Sequence, residues 1–163
     1  MNGWLVDTDV VSELYKPRGD AQVALWADVQ PHASLFLSIV SIAEIRFGIE
    51  RVSNDARRRE LEQQVETNVR QWFAGRILEL DERTMLEWLR LVDVGRRSGH
   101  TFAQPDLFIA ASARLNDLCV VTGNVAHFTP AGVPVFNPWQ NVLEMPGRKP
   151  AKVNGPMTLD RLR

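Results

Sequence analysis

The feature that most restricts this fold is a set of short apolar runs, each cut off by a polar residue and followed by helical spacing. Trp4-Leu5-Val6 stops at Asp7-Thr8-Asp9, and Leu35-Phe36-Leu37 stops at Ser38. After Ser38, the residues Ile42, Ile45, Ile49 and Val52 recur at spacings that place them on one helical face. Leu61, Val65, Val69, Trp72 and Phe73 do the same within the polar stretch 54–76 and predict a long amphipathic helix. Ile77-Leu78-Glu79-Leu80 reads as a third strand. A helix carrying Met85, Leu86 and Leu89 follows, its end bracketed by Gly95 and Gly99. Pro105 suits the first turn of a further helix with Phe108, Ala111 and Leu115 on its apolar side, and it leads into a strand over 118–122. The run 133–136 is a short last strand. Strands that alternate with helices require crossover connections, which are right-handed and produce parallel pairing. The expected architecture is therefore a three-layer α/β/α sandwich around a mainly parallel sheet.

A chain of 163 residues with five Trp and seven Phe can bury a sizeable core in a single domain. From Asn141 onward, Pro146, Gly147, Pro150, Gly155 and Pro156 interrupt a stretch with few large apolar side chains. We read residues 1–140 as the folded domain, and 141–163 as a tail that is disordered or docks on a partner. The net charge of −1 excludes a global positive field for indiscriminate nucleic-acid binding. Any grip on a polyanion must be local, and 16 of the 19 cations are Arg, whose planar fork suits phosphate. The lone Cys119 excludes an internal disulfide framework and a thiolate zinc cage. With no basic signal-type start and no apolar run of about 18 residues, the expectation is a cytoplasmic protein without a membrane span.

In an open parallel sheet, ligands bind beyond the C-terminal strand ends. Asp7 closes the first strand there, Glu44 lies in the helix after the second, and Asp106 opens the helix before the fourth. Thr122 and Asn124 follow that fourth strand. Three carboxylates in one cleft repel each other, a conflict that is relieved by a proton or by a cation. Oxygen ligands without thiolate favour Mg²⁺ or Mn²⁺, and such an ion suits metal-assisted phosphodiester hydrolysis. Each residue also has a purely structural role open to it. Asp7 fits a helix N-cap, Ser41-Ile42-Ala43-Glu44 fits a capping box, Asp106 fits a first-turn acid and Asn124 fits a turn.

Four ordered motifs carry a family resemblance. Leu5 to Leu14, Ser41 to Ile49, Pro105 to Ala113, and Val121-Thr122-Gly123-Asn124 with His127-Phe128 resemble PIN-domain ribonucleases of the VapC toxin type, in their FitB-like branch. Phe136-Asn137-Pro138-Trp139 is similar to the end of that domain. The resemblance implies that Asp7, Glu44 and Asp106 hold Mg²⁺ or Mn²⁺, that Asn124 takes the fourth position, and that Thr122 orients ligands or substrate. It implies an RNA substrate, tRNA among the candidates, and a cognate antitoxin. The assembly implied is a homodimer or a toxin–antitoxin hetero-oligomer. Asp9 stands where Asn is more usual, Gly123 replaces a frequent Arg, and His127 stands where Asp is common. The fourth corner therefore lacks a carboxylate, which motivates the alternative of a catalytically weak RNA- or protein-binding module. Asp7-Thr8-Asp9-Val10-Val11 also fits the D-x-D-x-V start of a haloacid-dehalogenase-type phosphatase. That chemistry needs a well-placed lysine, and Lys16, Lys149 and Lys152 are badly placed.

Overall fold

The computed structural model describes residues 1–162. Its strands are β1 (Gly3–Val6), β2 (Leu35–Ser38), β3 (Ile77–Leu78), β4 (Leu118–Val121), β5 (Val135–Asn137), β6 (Val142–Glu144) and β7 (Ala151–Lys152). They form one sheet in the order β3-β2-β1-β4-β5-β6-β7. The first five are parallel, and β6 and β7 join antiparallel. Every residue of β1 and β4 is buried, as expected for strands covered on both faces.

The helices are α1 (Thr8–Leu14), α2 (Ala21–Asp28), α3 (Ile39–Glu50), α4 (Asp55–Gln64), α5 (Arg70–Trp72), α6 (Glu82–Ser98), α7 (Gln104–Asn116) and α8 (Val125–Phe128). Because strand side chains alternate, the sheet feeds two cores. Trp4, Val6, Leu37, Cys119 and Val121 pack with Val10, Trp26, Ile42 and Phe73 on one face. Leu5, Val120 and Val135 pack with Leu91, Leu107 and Ile109 on the other. The molecule is the expected three-layer α/β/α sandwich, and among the described residues no helix is long and apolar enough to cross a membrane.

Four details differ from the sequence reading. The helix over 54–76 is broken by a π turn at Val65–Val69, which keeps Val65, Val69 and Phe73 buried together. Met85, Leu86 and Leu89 of α6 lie exposed, whereas Leu91 and Gly95 are its buried face. Gly95 packs so closely on the Phe102 ring and the His100 carbonyl that a Cβ there would collide. Helix α2 is an element the periodicity did not single out; Asp20 caps it by accepting from the Gln22 and Val23 N–H groups.

The largest difference lies after residue 140. Instead of a disordered or partner-docked tail, β6 pairs with β5, and β7 pairs with β6. Asn141 donates to the Val153 and Gly155 carbonyls, and Met157 is 1% exposed in the first core. Gln30 ties the segment down. Its amide accepts from the Trp4 indole and donates to the Trp26 and Met157 carbonyls.

Candidate active site

The parallel pairing sets Asp7 and Thr122 side by side, one residue beyond the register Val6↔Val121. Asp7 is 4% exposed and caps α1. One carboxylate oxygen accepts from the Thr8 N–H at 2.7 Å, and the other accepts from the Thr122 hydroxyl at 2.7 Å. Thr122, fully buried, also accepts from the Asn124 N–H at 3.0 Å. Asp9, in the first turn of α1, accepts from the Gly123 N–H at 2.8 Å and from the Asn124 amide at 3.4 Å. Gly123 leaves room for this contact. A Cβ there would lie 3.1 Å from the Asp9 carboxylate and 3.2 Å from the Trp139 ring.

Glu44 approaches from a different direction. Helix α3 begins at Ile39 with Ser38 as its cap, so the alternative reading of Ser41 to Glu44 as a capping box does not hold. Ser41 is buried instead, its hydroxyl without a partner among the described residues. Freed from capping, Glu44 accepts from the Thr8 hydroxyl at 2.5 Å. Asp106 sits in the first turn of α7 and faces the His127 Nδ1 at 2.9 Å.

The structure thus joins Asp7, Thr122, Asn124 and Asp9 by direct hydrogen bonds, and joins Glu44 to them only through Thr8. Asp106 reaches Asp7 and Asp9 through its charge. Burial, first, and the neighbouring Asp9 charge push the Asp7 carboxyl up to about 7, against the opposing hydrogen bonds from Thr122 and Thr8. Burial likewise raises Asp9. Among the described residues, no three His, Cys, Asp or Glu side chains close into a metal cage. Mg²⁺ does not require one, because it keeps several waters and commonly uses one or two carboxylates. The all-oxygen set around a carboxylate whose ionisation is penalised is of a kind that suits a hard divalent cation, and Asp7, Asp106 and Glu44 are the carboxylates that could hold one.

A profile of the PIN domain matches residues 4–128. The chain belongs to the PIN domain family. It is 33% identical to toxin FitB of Neisseria gonorrhoeae over 137 residues, which take in 84% of this chain and 99% of FitB. It is 33% identical to the VapC ribonuclease Y4jK of Sinorhizobium fredii, over 83% of this chain and 97% of that protein. The crystal structure of FitAcB from Neisseria gonorrhoeae superposes with a TM-score of 0.79 at 33% identity, over 83% of this chain and 98% of that one. A structure of FitAB bound to a DNA fragment gives 0.78 at 32%, over 83% and 95%.

Within this PIN domain, the sequence reading did not anticipate two roles. Thr8 bridges Asp7 and Glu44, and Asp9 is clamped on the backbone of Gly123. The Asp7-Thr8-Asp9 triplet at a strand end was the available signal. Thr122 and Gly123, the partners of Asp7 and Asp9, lie more than a hundred positions away and become visible only once β1 and β4 are paired, while Glu44, the partner of Thr8, lies 36 positions away on α3.

Proposed function

We propose that this PIN domain is the toxin of a toxin–antitoxin system and acts in the cytoplasm as a Mg²⁺- or Mn²⁺-dependent endoribonuclease. The observation that carries this reading is Asp7. Burial, first, and then the charge of Asp9, with a lesser push from Asp106, raise its carboxyl to about 7, and a bound cation is the ordinary remedy for a carboxylate so penalised. When bound, the divalent ion supplies an acidified water and offsets charge that builds on the phosphoryl oxygens.

The chain's own residues do the positioning. Thr122 donates to Asp7 and so fixes the carboxylate plane, leaving the oxygen lone pairs that face the cleft for the ion. Thr8 holds Glu44 at the same mouth. Asp106 completes the acidic set from α7, with His127 against its outer oxygen. The Asn124 amide, exposed beside Asp9, is placed to donate to a phosphate oxygen. FitB is named a toxin, and the similar solved structures are of FitAcB and of FitAB bound to a DNA fragment. By that likeness, the partner is a cognate antitoxin that covers the acids. Self-association as a homodimer has support in an open apolar recess beside the site, formed by Ile39, Val40, Phe47, Leu80 and Phe108, with Phe47 59% exposed.

Purified protein incubated with total RNA tests the reading. Cutting in Mn²⁺ that stops with EDTA and with Asp106→Asn supports it. Wild-type protein that cuts no RNA refutes it and favours a PIN module that only binds.

A further inference from the structure

Helix α3 begins where β2 ends, and its first turn stands against the acids. The register Val6↔Leu37 sets Ser38 beside Asp7, just as Val6↔Val121 sets Thr122 on the other side. Three buried polar residues thus end three neighbouring strands in one row, Ser38 and Thr122 with no exposed surface and Asp7 between them. Thr122 donates its hydroxyl to Asp7, and Ser38 accepts from the Val40 N–H as the cap of α3. Ser41 follows in the first turn of that helix.

At 3.6 residues per turn, the surface of α3 is divided among its neighbours. Ile42, Ile45 and Ile49 turn to the first core. Ile39, Val40, Ala43 and Phe47 turn to the apolar recess. The remaining side is the one on which Glu44 accepts from the Thr8 hydroxyl, and Ser41, three residues before Glu44, lies on it. Thr8 is in turn bonded through its N–H to Asp7. Ser41 is therefore placed between Ser38, which flanks Asp7, and Glu44, which meets Thr8.

Ser41 has no exposed surface, and its hydroxyl meets no donor or acceptor among the described residues. A buried hydroxyl without a partner is destabilising relative to a methyl group, so alanine would serve packing better at this position. The second such atom among the described residues, the Trp26 indole nitrogen, lies among the Trp4 and Phe136 rings, whose π-faces can receive an N–H weakly. Ser41 has the acids beside it instead, and acids that draw a hydrated cation also bring its waters.

We propose that Ser41 is a positioning residue of the acidic site, its hydroxyl holding a water of the divalent cation's shell between Asp7 and Glu44. The inference rests on the metal-dependent reading above. Waters on a divalent ion are strong donors, because the ion draws electron density from them. The Ser41 oxygen can accept from one such O–H, and its own O–H is left to donate to a carboxylate oxygen. A partner of this kind fixes where the bound water points.

Two measurements on Ser41→Ala separate this role from packing. Calorimetric titration with Mn²⁺ at pH 8 should show the dissociation constant raised about tenfold. A thermal melt in EDTA should show a melting temperature no lower than that of wild type, because the metal-free chain gives the hydroxyl no partner to lose. Ser41→Thr, which keeps the hydroxyl, should recover most of the affinity. Unchanged Mn²⁺ affinity in Ser41→Ala overturns the proposal. So does a melting temperature that falls in EDTA, which would make the hydroxyl part of a structural bond. A threonine variant that melts like wild type but binds like the alanine variant also overturns it. Wild type that takes up no Mn²⁺ removes the metal-dependent reading and the role of Ser41 together. Wild type that binds Mn²⁺ no more tightly than Ser41→Ala removes the role of Ser41 alone.

Discussion

The two halves of the acidic site are built differently. Asp7, Asp9 and Thr122 lie where two parallel strands end side by side, and they are held by backbone N–H groups and a fully buried hydroxyl. Asp106 and Glu44 come from helices, are partly exposed, and each has a single side-chain partner, His127 or Thr8. The first half is fixed by the register of the sheet, whereas the second has room for its side chains to rotate. If the proposed cation binds here, a preformed corner facing an adjustable acidic arm would draw its affinity from the first half and its adaptation from the second.

The corner should therefore dominate activity. We expect Asp7→Asn to cost more than the roughly 100-fold typical of residues that only support a metal ligand, measured as kcat/KM on RNA. A loss no greater than that of Asp106→Ala would erase the distinction between the halves.

The same corner predicts an unusual pH dependence for metal-free protein. Asp7 titrates at about 7 when folded, above its ordinary 3.8, so the folded state binds the extra proton between these values. Stability from this group is complete below about 3.8 and is lost as pH rises through about 7, by on the order of 4 kcal/mol. Thermal melts in EDTA should show that decline, Asp7→Asn should flatten it, and Mn²⁺ should restore stability at pH 8. A flat wild-type profile would mean that the corner is not crowded.

Thr122→Val keeps the shape but removes the hydroxyl that orients Asp7. A loss of about 10- to 100-fold is expected, with recovery in Thr122→Ser. No recovery would make the role one of packing. The smallest effect belongs to the adjustable arm. His127 is 54% exposed, so His127→Ala should change kcat/KM by less than about tenfold. A larger loss would give His127 a role on the substrate itself.

Much of this division was legible in the residues. Apolar runs ended by Asp7 and Ser38 announce strand ends, and strand alternation announces the parallel sheet on whose edge the acids converge. Capping and site roles at Asp7 turned out to be compatible, since its side chain both receives the Thr8 N–H and faces Thr122. Glu44 was ambiguous because two serines, Ser38 and Ser41, can each start a helix. Only the packing of α3 decides that Ser38 does. The segment after residue 140 was illegible for another reason. Its strands are two or three residues long, and its order comes from Met157, Gln30 and Asn141, contacts that local patterning does not encode. On α6, apolar Met85 and Leu89 looked like core, but the buried face is chosen by the close approach of Gly95 to Phe102.

Calorimetric titration of the purified chain with Mn²⁺ at pH 8 tests the assignment of the acids most directly. Saturable binding in the wild type, lost in Asp7→Asn and weakened in Asp106→Asn and Glu44→Gln, is the expected result. Binding that survives unchanged in all three variants would place the cation elsewhere and contradict the site described for this PIN domain.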